Sequence, residues 1–210
     1  MRKVALFCML LLPLALLAQE RYVLPTAVSL ADENDQPMIE VYLPKDEAAE
    51  RCAVVLCPGG AMRWLSWESD VVKMATFLNE HDEWHISKDK IGYLGFSAGG
   101  GVAIAATMTA DGMERPDFLC TNFGPSLMSV TVPENAPPLL IMTRAEHPNV
   151  AAGLVALFME WKKAGANAEL HIYGDGKGPY ELMTETGETT TETWSAQMIH
   201  WLKAKGFIDK

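Results

Sequence analysis

The sequence predicts an α/β protein: one doubly wound, mainly parallel sheet with helices on both faces, a three-layer αβα arrangement. Three observations point there. Short apolar runs alternate with stretches of helical periodicity from about Ala53 onward. Several of those runs are continuously apolar, as strands covered on both faces are. One of them, Ile91 to Leu94, leads through Gly95-Phe96-Ser97-Ala98-Gly99 straight into a helical stretch of small residues.

The elements follow in order. Arg2 and Lys3 begin the chain, Val4 to Leu17 is apolar apart from Pro13, and Ala18 precedes Gln19-Glu20. This layout predicts a signal peptide over residues 1–18 and export to the periplasm or beyond. The apolar run is shorter than the ~20 residues of a membrane span, so no membrane attachment is expected after cleavage. Cys8 lies inside the run and not at its end, which argues against a lipid anchor. Residues 19–210 read as a single domain, with no repeat, low-complexity stretch or linker.

Ile39 to Leu43 alternates as a half-buried strand, and Ala53 to Leu56 reads as a central one. Pro58-Gly59-Gly60-Ala61 makes a turn. Ser66 is placed to cap a helix from Glu68 to about Asn79, with acids in its first turn where the helix dipole favours them. After the strand at Ile91 comes a helix from Val102 to Ala110, then strands at Phe118 to Asn122 and Leu139 to Thr143. A helix from Val150 to Ala164 stops at Gly165, and Ala168 to Tyr173 alternates again. Thr189 and Glu192 have capping-box spacing before a last helix that Gly206 ends. Trp194 and Trp201 share the apolar stripe of that helix and read as packing residues.

Composition excludes some functions. Without Arg2 and Lys3, 15 basic side chains face 27 acidic ones, a net charge of −12. Such a surface repels nucleic acid phosphates. Cys52 and Cys57 bracket one strand and cannot reach each other, and with Cys120 they leave an odd count, so buried free thiols are expected. Their spacing is not that of a metal site.

The chemistry-bearing motif is the strand–turn–helix around Ser97. A serine at such a turn takes a strained backbone conformation and shows its hydroxyl above the carboxyl edge of the sheet. Backbone amides at the helix start favour an anion there. Pro58-Gly59-Gly60-Ala61 brings more amides to the same edge, so Gly60 or Ala61 together with Ala98 can form an oxyanion hole.

The segments LCPGGAMRWLSWES, EWHISKDKIGYLGFSAGG, RPDFLCTNFGP, APPLLIM and AELHIYGDGKG resemble landmarks of secreted bacterial α/β-hydrolase esterases. The nearest set is the carbohydrate-esterase-like one that includes acetylxylan esterases, and the likeness runs from about Glu40 to Phe207. The resemblance implies hydrolysis of small esters on plant polysaccharide by Ser97, a histidine base and an acid, with no metal or other cofactor. It also marks departures. Lys177, in Asp175-Gly176-Lys177-Gly178, stands where the family has its histidine, and His147 stands where it has its aspartate.

Two residues remain as base candidates. His147 is a histidine at the right edge, with Glu146 or Asp175 as a nearby acid. Lys177 needs its pKa lowered toward neutral, since a lysine at ~10.4 is protonated at pH 7. His81, His85, His171 and His200 fall elsewhere in the predicted fold. The family also has a further strand and helix before the elbow strand, roughly 30 residues or more, the size of one βαβ crossover, and this chain is shortened by it. An unpaired apolar strand invites aggregation, so Ile39 to Leu43 is expected to move in beside Ala53 to Leu56. The sequence is therefore compatible with a weak serine esterase on a small-molecule or carbohydrate ester, with a pseudoenzyme that keeps the pocket for binding, and with a decayed gene product.

Overall fold

The structure is a computed structural model, and it describes residues 20–25, 38–42, 53–80, 90–111, 115–124, 130–146, 150–174 and 186–208. Residues 1–18, Cys52, His81, His85, His147, Asp175 and Lys177 lie outside the described residues. The chain divides into two compact units, Met1–Leu43 and Pro44–Lys210.

In the first unit, β1 (Glu20–Val23) pairs antiparallel with β2 (Met38–Val41), with Arg21 opposite Glu40. Their side chains form an ion pair, and the Tyr42 hydroxyl donates to the other Glu40 oxygen at 2.9 Å. Among the described residues β2 is not paired with the expected strand, Ala53 to Leu56. β2 takes β1, a strand the sequence reading did not foresee, because the opposite charges sit directly across an antiparallel pair.

The second unit holds a five-stranded parallel sheet in the order β3 (Ala53–Cys57), β4 (Ile91–Phe96), β5 (Phe118–Asn122), β6 (Leu139–Arg144), β7 (Ala168–Tyr173). Burial follows position. Every residue of β5 is buried, and so is all of β6 but Arg144, whereas β3 is half exposed with Val55 at 45%. Among the described residues β3 has β4 on one side and no strand on the other. Burying one leucine of the central strands stabilises by roughly 1.5–3 kcal/mol, which is why they read as unbroken apolar runs.

The helices are α1 (Lys73–Glu80, preceded by a π-helical turn Glu68–Val72), α2 (Ala98–Thr109), α3 (Val150–Lys163) and α4 (Trp194–Lys205). α1 and α4 cover one face, where Met74, Trp194 and Trp201 meet Phe96, Phe118 and Met142. α2 and α3 cover the other, where Ile104, Leu154 and Trp161 meet Leu119, Leu139 and Ile141. Gly165 and Gly206 end α3 and α4 at φ 77° and 72°, as their sequence positions predict. Trp194 and Trp201 are core residues, 0% and 1% exposed.

Because the strands lie in chain order, the division of helices has a topological consequence. β4–α2–β5 and β6–α3–β7 step in one direction with their helices on one face, so they share a hand. β3–α1–β4 steps in that direction with its helix on the opposite face, and so has the other hand. About 98% of such crossovers are right-handed, which makes the first connection the exception.

Before α4, a 3₁₀ turn (Thr190–Thr193) starts from Thr189, but the capping box does not close as expected. The Glu192 carboxylate accepts only a long bond from the Thr189 hydroxyl, at 3.4 Å, and shorter ones from the Thr186 amide at 2.6 Å, the Thr186 hydroxyl at 2.8 Å and the Gly187 amide at 2.9 Å. The Thr186 hydroxyl bond, helped by these amides, holds the carboxyl below the usual glutamate range against the upward push of desolvation. A lowered folded pKa gives stability that is complete above the ordinary value of ~4.3 and vanishes as pH falls through the folded one. Glu192→Gln is therefore expected to lower the urea midpoint at pH 7, with the gap to the parent closing below about pH 4. A gap of equal size at pH 7 and pH 3 would contradict this role.

Candidate active site

β4 ends at Phe96, α2 begins at Ala98, and Ser97 is the single residue between them. Its backbone sits at φ 48°, ψ −119°, a region that costs a non-glycine residue about 1–3 kcal/mol. Two bonds hold it there: the Ser97 amide donates to the Asn122 carbonyl at 3.0 Å, and the Gly100 amide donates to the Ser97 carbonyl at 2.9 Å. Ser97 thus stands at the carboxyl end of β4, at the start of α2. Ala98 opens α2, so its amide is one of the helix's unpaired donors.

The turn after β3 lies against this serine. A Cβ placed on Gly59 would stand 3.0 Å from the Ser97 Cβ. Beyond Gly59 the chain curls on itself: the Arg63 and Trp64 amides donate to the Gly60 carbonyl, and the Ser66 amide donates to the Gly59 carbonyl. The curl needs unusual backbone at Gly60 (φ 134°), Ala61 (φ 52°) and Met62 (φ 60°). Gly60 is also sterically obligatory, since a Cβ there would sit 1.7 Å from the Trp64 carbonyl oxygen. Among the described residues neither the Gly60 nor the Ala61 amide has a protein acceptor, although Gly60 is buried. A buried amide without an acceptor is costly, and a ligand oxygen would satisfy it.

Ser66 does not cap the helix with its hydroxyl as expected. It works through its backbone, its carbonyl accepting from the Asp70 amide at 3.0 Å. Asp70, read from the sequence as a dipole-compensating acid, is buried at 5% exposure with its carboxylate turned into the turn after β3. The signal for this was available: Asp70 precedes Met74 and Phe77 on the stripe that packs on the sheet.

Glu146 follows the end of β6 and is exposed, whereas the base candidates His147 and Lys177 lie outside the described residues. His171 is in β7 with its Nε2 2.7 Å from a Glu169 oxygen, and His200 is exposed on α4. Cys57 is a free thiol, and burial pushes it up to about 11, so it is no nucleophile at neutral pH. Trp64 stands 61% exposed beside Met62 and Leu65, outside the core, while Trp67 is half-buried.

No family model matches the chain, and no curated protein matches it. Solved structures do. Esterase 2 of Thermogutta terrifontis, in its form phosphoramylated by tabun, superimposes with a TM-score of 0.69 at 15% identity, over 93% of this chain and 97% of its own. The acetyl ester-xyloside bifunctional hydrolase of Caldicellulosiruptor lactoaceticus gives 0.58 at 17%, over 85% and 95%. MGS-M1, an α/β hydrolase enzyme from a Medee basin deep-sea metagenome library, gives 0.59 at 17%, over 80% and 91%. At these identities the likeness shows the fold: this chain has the α/β-hydrolase fold in a shortened form.

Proposed function

We propose that this exported protein receives a small acyl ester at Ser97 and hydrolyses it slowly. The observation that carries the reading is the strained Ser97 turn packed against the glycine turn after β3, where the amide of buried Gly60 has no acceptor among the described residues. In the reaction the Ser97 oxygen attacks the ester carbonyl, and the amides of Ala98 and of Gly60 or Ala61 stabilise the charge on its oxygen. The alcohol then leaves, and water releases the acid from the acyl-serine. The resemblance to acetylxylan-type esterases, and a structural neighbour described as an acetyl ester-xyloside hydrolase, favour an acetylated sugar as the substrate class. The exposed Trp64 offers a face for a sugar ring.

Slowness follows from the base. With Lys177 and His147 at the family's histidine and aspartate positions, the serine lacks its usual activation. Losing the base of such a triad costs on the order of a millionfold in turnover, while oxyanion stabilisation alone retains ~10³ to 10⁴ over water. Purified protein is expected to hydrolyse 4-nitrophenyl acetate slowly, and Ser97→Ala to reduce that rate by less than about a hundredfold. A larger drop would restore an efficient esterase, with His147 or Lys177 as the base. A Ser97 that a fluorophosphonate never modifies would favour a pseudoenzyme that only binds.

A further inference from the structure

We infer that Asp70 is a positioning residue of the oxyanion loop: its buried carboxylate holds Gly59 so that the Gly60 and Ala61 amides stay presented beside Ser97. This rests on the esterase reading above. Asp70 Oδ2 accepts from the Gly59 amide at 2.8 Å, and Oδ1 accepts from the Ser69 hydroxyl at 2.7 Å. Among the described residues no basic group pairs with it. Burying a carboxylate without a cation is expensive, and an acid serving only the helix dipole would stay in solvent. The side chain is instead spent on one backbone amide of the turn.

The packing shows what that bond controls. The space where Gly59 lacks a side chain is bounded by the Ser97 Cβ and the Phe96 carbonyl oxygen, each at 3.0 Å, and by Asp70 Oδ2 at 3.2 Å. Carboxylate, turn and serine are therefore stacked with no room between them. The next three residues all have positive φ, so the curl is strained and relaxes when its anchor is cut. The role is geometric. A negative charge this near opposes an oxyanion, so only the hydrogen bonds of Asp70 can favour the reaction.

The test is the rate at which a small fluorophosphonate modifies Ser97 in the full chain. The serine oxygen bonds to phosphorus, fluoride leaves, the hydroxyl proton goes to solvent, and the phosphoryl oxygen occupies the hole. Ser97→Ala supplies the blank, and circular dichroism reports folding. Asp70→Ala is expected to react at least about tenfold more slowly, a fraction of the ~10² to 10³ that one oxyanion donor supplies. Asp70→Asn keeps an acceptor for Gly59 and sheds the charge, so it should react at the parent's rate or faster. Ser69→Ala, which removes one of the two bonds, should lose about threefold or more, and it decides the matter if Asp70→Ala does not fold. Folded Asp70→Ala at the parent's rate, Asp70→Asn as slow as Asp70→Ala, or an unaffected Ser69→Ala would each overturn the positioning role alone. A parent that reacts no faster than Ser97→Ala would overturn the esterase reading and this role together.

Discussion

Lys177→His combined with His147→Asp is expected to raise acetyl-ester hydrolysis by ~10² to 10⁴, the usual contribution of a positioned general base. The pair restores at the family's positions a histidine to take the Ser97 proton and a carboxylate to orient it. Each change alone should do much less. A histidine without its orienter samples the wrong tautomer, and a carboxylate without a base has nothing to hold. The gain must vanish when Ser97 is also replaced by alanine. No gain in a folded double variant would mean that the two loops do not meet at Ser97, and the proposed substrate class would fall with it.

Gly99→Ala should, with Gly60→Ala, be among the most damaging single substitutions in the site. A Cβ on Gly99 would lie 2.0 Å from the Cys57 carbonyl oxygen and 2.5 Å from the Pro58 oxygen. Both are backbone atoms at the end of β3, so no rotamer change relieves the contact. Overpacking ordinarily costs about 1–3 kcal/mol, and a backbone clash this deep belongs at or above the upper end. At ~2–4 °C per kcal/mol for a chain of this size, the melting temperature should fall by about 6–12 °C. Fluorophosphonate modification of Ser97 should slow as well, because the displaced atoms lead directly into the oxyanion loop. A melting temperature within about 2 °C of the parent would show that β3 can slide away from α2 freely.

Much of the site was legible because its chemistry is local. The glycines around Ser97 and the amides of Pro58 to Ala61 announce their geometry within five residues of chain, and the structure puts the serine and the glycine turn side by side. Asp70 was missed for the opposite reason. An acid in the first turn of a helix has a sufficient local explanation in the dipole, and only the turn folded back over it shows that its carboxylate is buried and bonded. Glu192 is an intermediate case: its spacing from Thr189 marked it as a cap, but the amides it satisfies belong to Thr186 and Gly187.

Periodicity and punctuation in the sequence were enough to determine that this chain makes a buried parallel sheet, where β5 to β7 run, that Ser97 stands on a strained turn, and that Gly165 and Gly206 stop helices. These depend on a residue and its near neighbours, whose steric and hydrogen-bonding preferences are present in the chain itself. Tertiary structure alone decided the partner of β2, the exposed edge of β3 and the hand of the first crossover. Nothing near β3 in the sequence can encode that hand, since it depends on which face of a sheet α1 covers relative to helices that come later in the chain.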